Sequence, residues 1–322
     1  MRGVKPSVDR RLRGATFLRV SSGSSPVMQA YVLCVLVVIF YAGNILTGKA
    51  LNDVPPITIA FTRLVIAFVV LLPIGWRSAW LARRSFIEHG RPLLLMTATG
   101  VAFFTTLIYA ALRFTSATNV SVLEAVIPAV TVVLSFFVLH ERLRPIQWAG
   151  VAVSLVGAVS VVMNGNALSL GSTGWNKGDG IMAAAVLCWA VYSITVRRHM
   201  RHFPEFGALV VMTGLSILML SPLVAAEWLI IGEMPLEAGP HWWGLLYLGV
   251  FPSVVALAFY NRAVATLGAS QASAFLNFLP VATMLGAFTF LDEDISAAQI
   301  VGAALVMVGV FVTLRAPSWL RA

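Results

Sequence analysis

Long runs of apolar residues, separated by Arg, Pro, Gly and short polar turns, fill the chain from residue 28 onward. Each run is close to the ~20 residues that a helix needs to cross ~30 Å of hydrocarbon. Because the runs are continuous and do not alternate at every second residue, they predict an all-α membrane protein and exclude a membrane β-barrel. Ten spans are predicted, with approximate limits 28–46, 56–76, 92–112, 118–140, 146–164, 179–197, 205–225, 242–262, 269–291 and 297–315.

The composition agrees with this pattern. Of the 322 residues, 59% are hydrophobic and 11% are charged, which is too apolar for a water-soluble domain of this size. The lipid bilayer is therefore the predicted surrounding, and little chain remains outside the spans for a soluble domain.

The positive charges lie mostly on one side of the predicted spans. Of the 22 Lys and Arg residues, 18 fall on one side, in the N-terminal tail, in loops or near the C-terminus. Lys49, Arg113 and Lys177 lie on the opposite side, and Arg63 lies within a span. The positive-inside rule then places both termini in the cytoplasm. Because the charges are spread over many loops and not gathered on one face, the net charge of +9 does not indicate a nucleic-acid partner.

Residues 1–27 form a basic cytoplasmic tail that is predicted to be disordered, and the tail lacks the apolar core of a signal peptide. Cys34 and Cys188 fall within spans and have no neighbouring cysteine partner. We interpret both as small core residues, and we expect no disulfide, no metal site and no cofactor.

A block of sequence recurs at a fixed offset of 152 residues. The segment PAVTVVLSFFVLHERLRPIQWAG corresponds to PVATMLGAFTFLDEDISAAQIVG. Identical residues in register include Ala117/Ala269, Ser121/Ser273, Pro128/Pro280, Glu141/Glu293, Gln147/Gln299, Gly150/Gly302 and Gly157/Gly309. A lipid-facing composition would repeat Leu and Ala by chance, but it would not keep Pro, Glu, Gln and Gly in step.

The duplication predicts two units of five spans, at residues 28–164 and 179–315. Because five is an odd number of crossings, the second unit would enter the membrane inverted relative to the first. The charges agree, since Arg142 and Arg144 follow span four whereas three acidic residues follow span nine. Two inverted repeats of this kind are the geometric basis of alternating access.

The five-plus-five repeat, the in-span arginine, TSATNVSVLEAVIP with HERL, and the copy LGASQASAFLNFLP with LDED resemble the EamA-type transporters of the drug/metabolite transporter superfamily. The resemblance covers nearly the whole chain after residue 27, and the sequence is similar to the bacterial aromatic amino acid exporters of that family. It implies a multi-pass carrier of the bacterial inner membrane that exports amino acids or other metabolites.

Polar residues recur along one face of span four and at matching positions of span nine. Their spacing of three or four residues places them on one helical stripe in each span. Polar side chains are costly in lipid, so these residues are predicted to line a cavity, with Pro128 and Pro280 as hinges; packing alone is the alternative. The residues are Ser121, Glu124, Pro128 and Thr131 in span four, and Ser273, Asn277, Pro280 and Thr283 in span nine.

Aromatic and polar residues in four other spans are further candidates for substrate binding, because such side chains suit a pocket for a flat or zwitterionic solute. Ordinary helix packing is the alternative for each. The candidates are Tyr41 and Asn44 in span one, Thr105 and Tyr109 in span three, Trp189, Tyr192 and Ser193 in span six, and Ser253 and Tyr260 in span eight.

Arg63 and Glu124 are the ionisable residues deepest in the predicted spans, at similar depth. One interpretation is a structural ion pair, because an unpaired charge would be costly there. The others are direct contact with the charged groups of a substrate and proton coupling through Glu124.

The function predicted from these features is secondary transport of amino acids, including aromatic ones, by a monomer that holds both halves of one cavity. Nucleosides, polyamines and lipophilic cations are alternative cargoes. A membrane-embedded enzyme is not expected, because all five histidines and all five aspartates lie at span ends or in loops. A passive channel fits less well, since inverted halves with kinked helices favour a carrier.

Overall fold

The computed structural model describes residues 26–140, 143–163, 176–231, 241–267, 272 and 275–315. Within these ranges the protein is a bundle of helices without β-strands. Nine helical segments there are long and apolar enough to cross a membrane, and Leu279–Phe290 is a shorter apolar helix. The predictions for most of the basic tail and for Ser273 fall outside the described residues.

The helices have bounds that follow the predicted spans. In chain order they are α1 (Pro26–Ala50), α2 (Pro56–Leu81), α3 (Arg83–Glu88), α4 (Gly90–Met96), α5 (Phe104–Leu112), α6 (Ala117–Ala125), α7 (Ile127–Leu139), α8 (Pro145–Val162), α9 (Lys177–His199), α10 (Glu205–Ile231), α11 (His241–Val250), α12 (Ala256–Leu267), α13 (Leu279–Phe290) and α14 (Ala297–Arg315). Two π-helical segments interrupt spans three and eight, π1 (Thr97–Phe103) and π2 (Phe251–Val255).

Proline or a capping side chain marks the start of several helices. Pro56 and Pro145 begin α2 and α8, where the missing N–H would have no partner within the helix anyway. The Ser116 hydroxyl accepts a hydrogen bond from the Asn119 backbone N–H at 3.0 Å, and this bond caps α6. These local signals mark where spans two, four and five begin.

The helices of spans four and nine are interrupted near the middle of each span. Val126 and Phe278, which are 152 residues apart, each donate their backbone N–H to a carbonyl three residues earlier, at 3.2 and 3.0 Å. The helix then restarts, with Pro128 and Pro280 as the second residues of α7 and α13. A proline in mid-helix removes one backbone hydrogen bond and clashes with the preceding turn, which accounts for the interruptions.

Two other backbone irregularities recur at the same offset. His140 after α7 and Asp292 after α13 both have left-handed conformations, with φ of 56° and 51°. The π1 and π2 segments end at Phe103 and Val255. Both pairs are separated by 152 residues, so the repeat in the sequence has a counterpart in the course of the backbone.

The last helices of the two halves, α8 and α14, pack at glycines. A Cβ atom added to Gly157 would lie 2.6 Å from the carbonyl oxygen of Gly302, and one on Gly150 would lie 2.7 Å from that of Gly309. The two backbones therefore touch without an intervening layer of side chains, which is the close approach that small residues permit in membranes.

Candidate functional site

A guanidinium group bound by three other segments lies within the bundle. Arg63 on α2 donates from Nη1 to Asn44 Oδ1 at 3.0 Å and to the Tyr109 hydroxyl at 2.5 Å. Its Nη2 donates to Ser253 Oγ at 2.8 Å. These partners come from α1, α5 and π2, so one charged side chain joins four segments through neutral acceptors.

The local backbone positions these partners. Ser253 Oγ also donates to the carbonyl of Leu248, five residues earlier, at 2.8 Å. Tyr109 is only 1% exposed, and its ring lies against Gly48, where a Cβ atom would approach the ring to 2.6 Å. The Tyr109 hydroxyl donates to Asn44 Oδ1 at 2.9 Å, which completes the cluster.

Glu124 lies in the last turn of α6, next to the break in span four, and is half-buried. It interacts electrostatically with Arg63 and Tyr41, but it forms no hydrogen bond or close ion pair with any described residue. The predicted ion pair with Arg63 is thus not formed as a direct contact, because the bonded guanidinium nitrogens face Asn44, Tyr109 and Ser253. The carboxylate has no hydrogen-bond partner among the described residues.

Aromatic side chains pack on one another near these charges. The Trp189 ring on α9 lies 4.4 Å from the Phe104 ring and 4.9 Å from the Tyr192 ring, centroid to centroid. Tyr192 packs against Gly100 in π1, where a Cβ atom would overlap its ring. The α6 helix, which carries Glu124, packs against α9 and against α1, which carries Tyr41, so the aromatic cluster and the carboxylate lie on neighbouring helices.

Several hydroxyl candidates are engaged by their own helices. Ser121 is fully buried and donates to the Thr118 carbonyl at 2.8 Å, and Ser193 donates to the Trp189 carbonyl at 2.8 Å. Such bonds to the preceding turn are common for Ser in helices and leave the hydroxyl with less capacity for a ligand. Thr105 is 9% exposed and thus nearly buried.

The remaining candidates lie in the second half. Tyr260 is half-buried beside a small cluster that contains Cys34 and Ala263, and it interacts electrostatically with Tyr41. Asn277 is half-buried at the break before α13. The part of the chain described holds no group of three or more His, Cys, Asp or Glu residues that could bind a metal ion.

A second polar network joins spans at the end of the bundle where α1 finishes. Lys49 Nζ donates to the carbonyls of Leu112 and Thr115, both at 2.8 Å. Glu293 accepts from the Ala117 backbone N–H at 2.8 Å and from the Thr118 hydroxyl at 3.1 Å, which caps α6 from the far half of the chain.

Two further contacts extend this network. Thr115 Oγ1 donates to Asp179 Oδ1 at 2.7 Å, and Gln299 Nε2 donates to Asn119 Oδ1 at 2.8 Å. Residues of α1, α5, α6, α9 and α14, and of the loops beside them, are thereby bonded together at this end, which we name the Lys49 end.

Sequence reasoning identified Arg63 and its three partners individually but did not join them. It missed Phe104 and Gly100, because a lone Phe or Gly in an apolar run gives no signal of its own. It also missed the network at the Lys49 end, although the in-register pairs Glu141/Glu293 and Gln147/Gln299 already marked two of its members.

A model of the EamA-like transporter family matches residues 28–163 and again residues 176–315. The chain belongs to this family. The resemblance inferred from the repeated motifs is confirmed, and the protein is a multi-pass membrane transporter of small molecules.

Relatives of this EamA-like transporter cover most of its length at low identity. "Uncharacterized transporter YyaM" of Bacillus subtilis is 24% identical over 258 residues, 79% of this chain and 83% of the relative. "Probable terminal-alkyne amino-acid exporter" of Streptantibioticus cattleyicolor is 25% identical and covers 80% and 83%. "Probable amino-acid metabolite efflux pump" of Salmonella typhimurium is 22% identical and covers 88% and 93%.

A solved crystal structure also resembles the chain. It covers 89% of this chain and 96% of its own, with a TM-score of 0.59 and 23% sequence identity. The likeness shows that the two chains share a fold. The family and the named relatives indicate a transporter, as the sequence predicted.

Proposed function

We propose that this EamA-like transporter is a secondary transporter of the bacterial inner membrane that exports small organic metabolites, chiefly amino acids including aromatic ones. The observation that carries the proposal is that Arg63 and Glu124, which has no hydrogen-bond partner among the described residues, lie on helices packed beside an aromatic cluster from both halves of the chain. One positive and one negative group beside aromatic rings match the charge and shape of a zwitterion with an apolar side chain.

The proposed mechanism is alternating access by two inverted five-helix units, with both termini in the cytoplasm and one chain forming the complete carrier. The backbone irregularities that recur at an offset of 152 residues support two equivalent halves, as does the double match of the family model. Breaks before Pro128 and Pro280 supply hinges inside the membrane. The bonds at the Lys49 end support a state that is closed on that side.

Two relatives with amino-acid exporter or amino-acid metabolite efflux in their names favour this substrate class. Nucleosides, polyamines and lipophilic cations are the alternative cargoes. Phosphorylated cargoes fit the site poorly, because Arg63 is the cation deep within the spans and its guanidinium already makes three hydrogen bonds to the protein. A membrane-embedded enzyme is the remaining alternative, and nothing in the described site favours it.

Counterflow in proteoliposomes tests the proposal. Vesicles loaded with unlabelled Phe, Trp, Tyr, Leu, Met or Thr should take up the corresponding labelled amino acid saturably. Trp189→Ala should reduce the exchange of aromatic amino acids by about tenfold, because the ring contacts both Phe104 and Tyr192. The matched control is Trp243→Ala, since Trp243 is 78% exposed on the bundle surface. Absence of exchange for every amino acid by folded protein would reject the substrate class.

Proton coupling through Glu124 is a separate part of the proposal. Glu124→Gln should weaken transport and remove its dependence on pH, because the amide cannot exchange a proton. Glu88→Gln is the control, since Glu88 is an exposed carboxylate at the end of α3. Wild-type transport that does not change with pH would exclude the coupling.

A further inference from the structure

The hydrogen-bonding capacity of Arg63 is largely used within the protein. A guanidinium has five N–H groups. Both Nη1 hydrogens are accounted for by Asn44 and Tyr109, and one Nη2 hydrogen by Ser253. The Nε atom is buried, and no described residue accepts its hydrogen.

This arrangement leaves no exposed edge for a substrate carboxylate in this conformation. Carboxylates bind arginine most strongly through two parallel hydrogen bonds to adjacent donors. The edge formed by Nη1 and Nη2 is occupied at Nη1, and the edge formed by Nε and Nη2 is closed at the buried Nε. Two hydrogens remain, one on Nε and one on Nη2, but the buried Nε is not exposed to a ligand in this conformation, so a carboxylate does not reach the two together.

Glu124 is in the opposite situation. Its carboxylate is half-buried at the end of α6 and has no hydrogen-bond partner in the described chain. Its helix α6 packs against α1, which carries Tyr41, and against α9, which carries Trp189 and Tyr192. A carboxylate next to aromatic rings is well suited to an organic ammonium group, because the charge pairs with the carboxylate and the alkyl hydrogens pack on the ring faces.

We infer that the transport site recognises its substrates through an ammonium group paired with Glu124, and that a substrate carboxylate is not required. The inference rests on the proposed function, which it narrows to organic ammonium compounds with an apolar body. Amino acids belong to this class, and so do the corresponding primary amines. Arg63 then serves as a fixed positive charge that shapes the site, and it does not act as the anchor of the substrate.

Three compounds with the same phenylethyl skeleton separate the two recognition modes. L-Phenylalanine carries both charges, 2-phenylethylamine carries only the ammonium group, and 3-phenylpropionate carries only the carboxylate. Each is added as a competitor of labelled phenylalanine counterflow by the full-length transporter. Binding of each to the purified protein in detergent is measured in parallel by calorimetry, so that the result does not depend on turnover.

The expected result is that 2-phenylethylamine competes within about threefold of phenylalanine, whereas 3-phenylpropionate is at least about tenfold weaker, a difference of one decade in apparent affinity. Equal or stronger competition by 3-phenylpropionate would overturn the inference while leaving amino acid export standing. Binding of 2-phenylethylamine without exchange of any amino acid would reject the export proposal and support the inference. Binding of none of the three would overturn the inference as well.

Variants of Glu124 test whether this residue causes the preference for the ammonium compound. Glu124→Gln should lower the affinity for 2-phenylethylamine by at least about tenfold, and Glu124→Asp, which keeps the charge, should preserve the order of the three compounds. Glu88→Gln should behave as the wild type, because Glu88 is exposed outside the site. If Glu124→Gln does not fold, the order measured with Glu124→Asp and the wild type still decides the question. Unchanged binding of 2-phenylethylamine by folded Glu124→Gln would contradict the assignment.

Discussion

The Tyr109 hydroxyl accepts a hydrogen bond from Arg63 Nη1 at 2.5 Å and donates one to Asn44 Oδ1 at 2.9 Å. The guanidinium is therefore held by a chain of neutral groups and not by a carboxylate. Arg63 could move toward Glu124 only by breaking bonds to three other segments of the bundle. The two charges of the site are in this way kept apart and available for different roles.

Tyr109→Phe tests this arrangement, because it removes one acceptor of Arg63 and keeps the aromatic ring. We expect a loss of stability of about 0.6 to 1.7 kcal/mol, the range of hydrogen bonds between membrane helices. Competition by 3-phenylpropionate should improve about fivefold, since a guanidinium donor becomes free. Thermal unfolding and counterflow measure the two effects. The control is Tyr247→Phe, which loses a bond to the Phe40 carbonyl away from Arg63; an equal gain there would contradict the explanation.

Gly100→Ala tests the aromatic cluster. A Cβ atom at residue 100 would overlap the ring of Tyr192, so the ring must move and disturb its contact with Trp189. We expect the KM for aromatic amino acids to rise about tenfold while the protein still folds. Gly180→Ala is the matched control, because a Cβ atom there would meet nothing within 4 Å. Similar KM values for the two variants would show that Tyr192 does not contribute to substrate binding.

Glu293→Gln tests the closure of the Lys49 end. The carboxylate caps α6 through the backbone N–H groups of Ala117 and Thr118, and a weaker cap should cost about 1 kcal/mol. With Cys34 and Cys188 replaced by Ala, a cysteine at the buried position 117 should react about fivefold faster with a membrane-impermeant maleimide.

The control for this experiment is Glu227→Gln. Glu227 caps α2 in the same way, accepting from the Thr58 backbone N–H at 2.9 Å and from its hydroxyl at 2.7 Å. This variant should lose a comparable cap without exposing position 117. Equal acceleration in both variants would indicate general loosening and not the opening of a gate.

Gly157→Val tests the contact between α8 and α14. A Cβ atom at residue 157 would lie 2.6 Å from the Gly302 carbonyl oxygen, so the two backbones must separate. The cost should be about 1 to 3 kcal/mol, as for other overpacked interiors, and appears as a lower Tm. Gly90→Ala, which meets nothing within 4 Å, should leave Tm unchanged. An unaltered Tm for Gly157→Val would mean that the helices tolerate a wider spacing.

The membrane spans could be predicted from the length of their apolar runs, but the residues at which the helices end could not. The α2 helix continues to Leu81 and α10 to Ile231, past the predicted limits of 76 and 225. An unpaired backbone is costly near lipid, so a helix extends beyond its predicted limit through flanking charged and aromatic residues. The π1 and π2 segments gave no sequence signal, since their residues differ from one another and no proline occurs in π1.

The candidate site could be predicted only as a set of residues. Arg63 and Glu124 could be recognised as candidates because a charged side chain within a membrane span is energetically costly. Helical spacing placed Ser121 on the same face as Glu124. Spacing does not reveal which partner a side chain takes, and Ser121 bonds to its own helix instead of facing a cavity. The partners of Arg63 come from segments up to 190 residues away, so only the folded bundle shows them.

The glycine contact between α8 and α14 also determines which parts of the transporter can move. With backbone against backbone at Gly150, Gly157, Gly302 and Gly309, neither helix can slide or rotate without collision. One helix belongs to each half of the chain, so we expect this pair to stay together while other helices rearrange during transport. A disulfide engineered across it should leave turnover intact, whereas one across the Lys49 end should arrest the cycle.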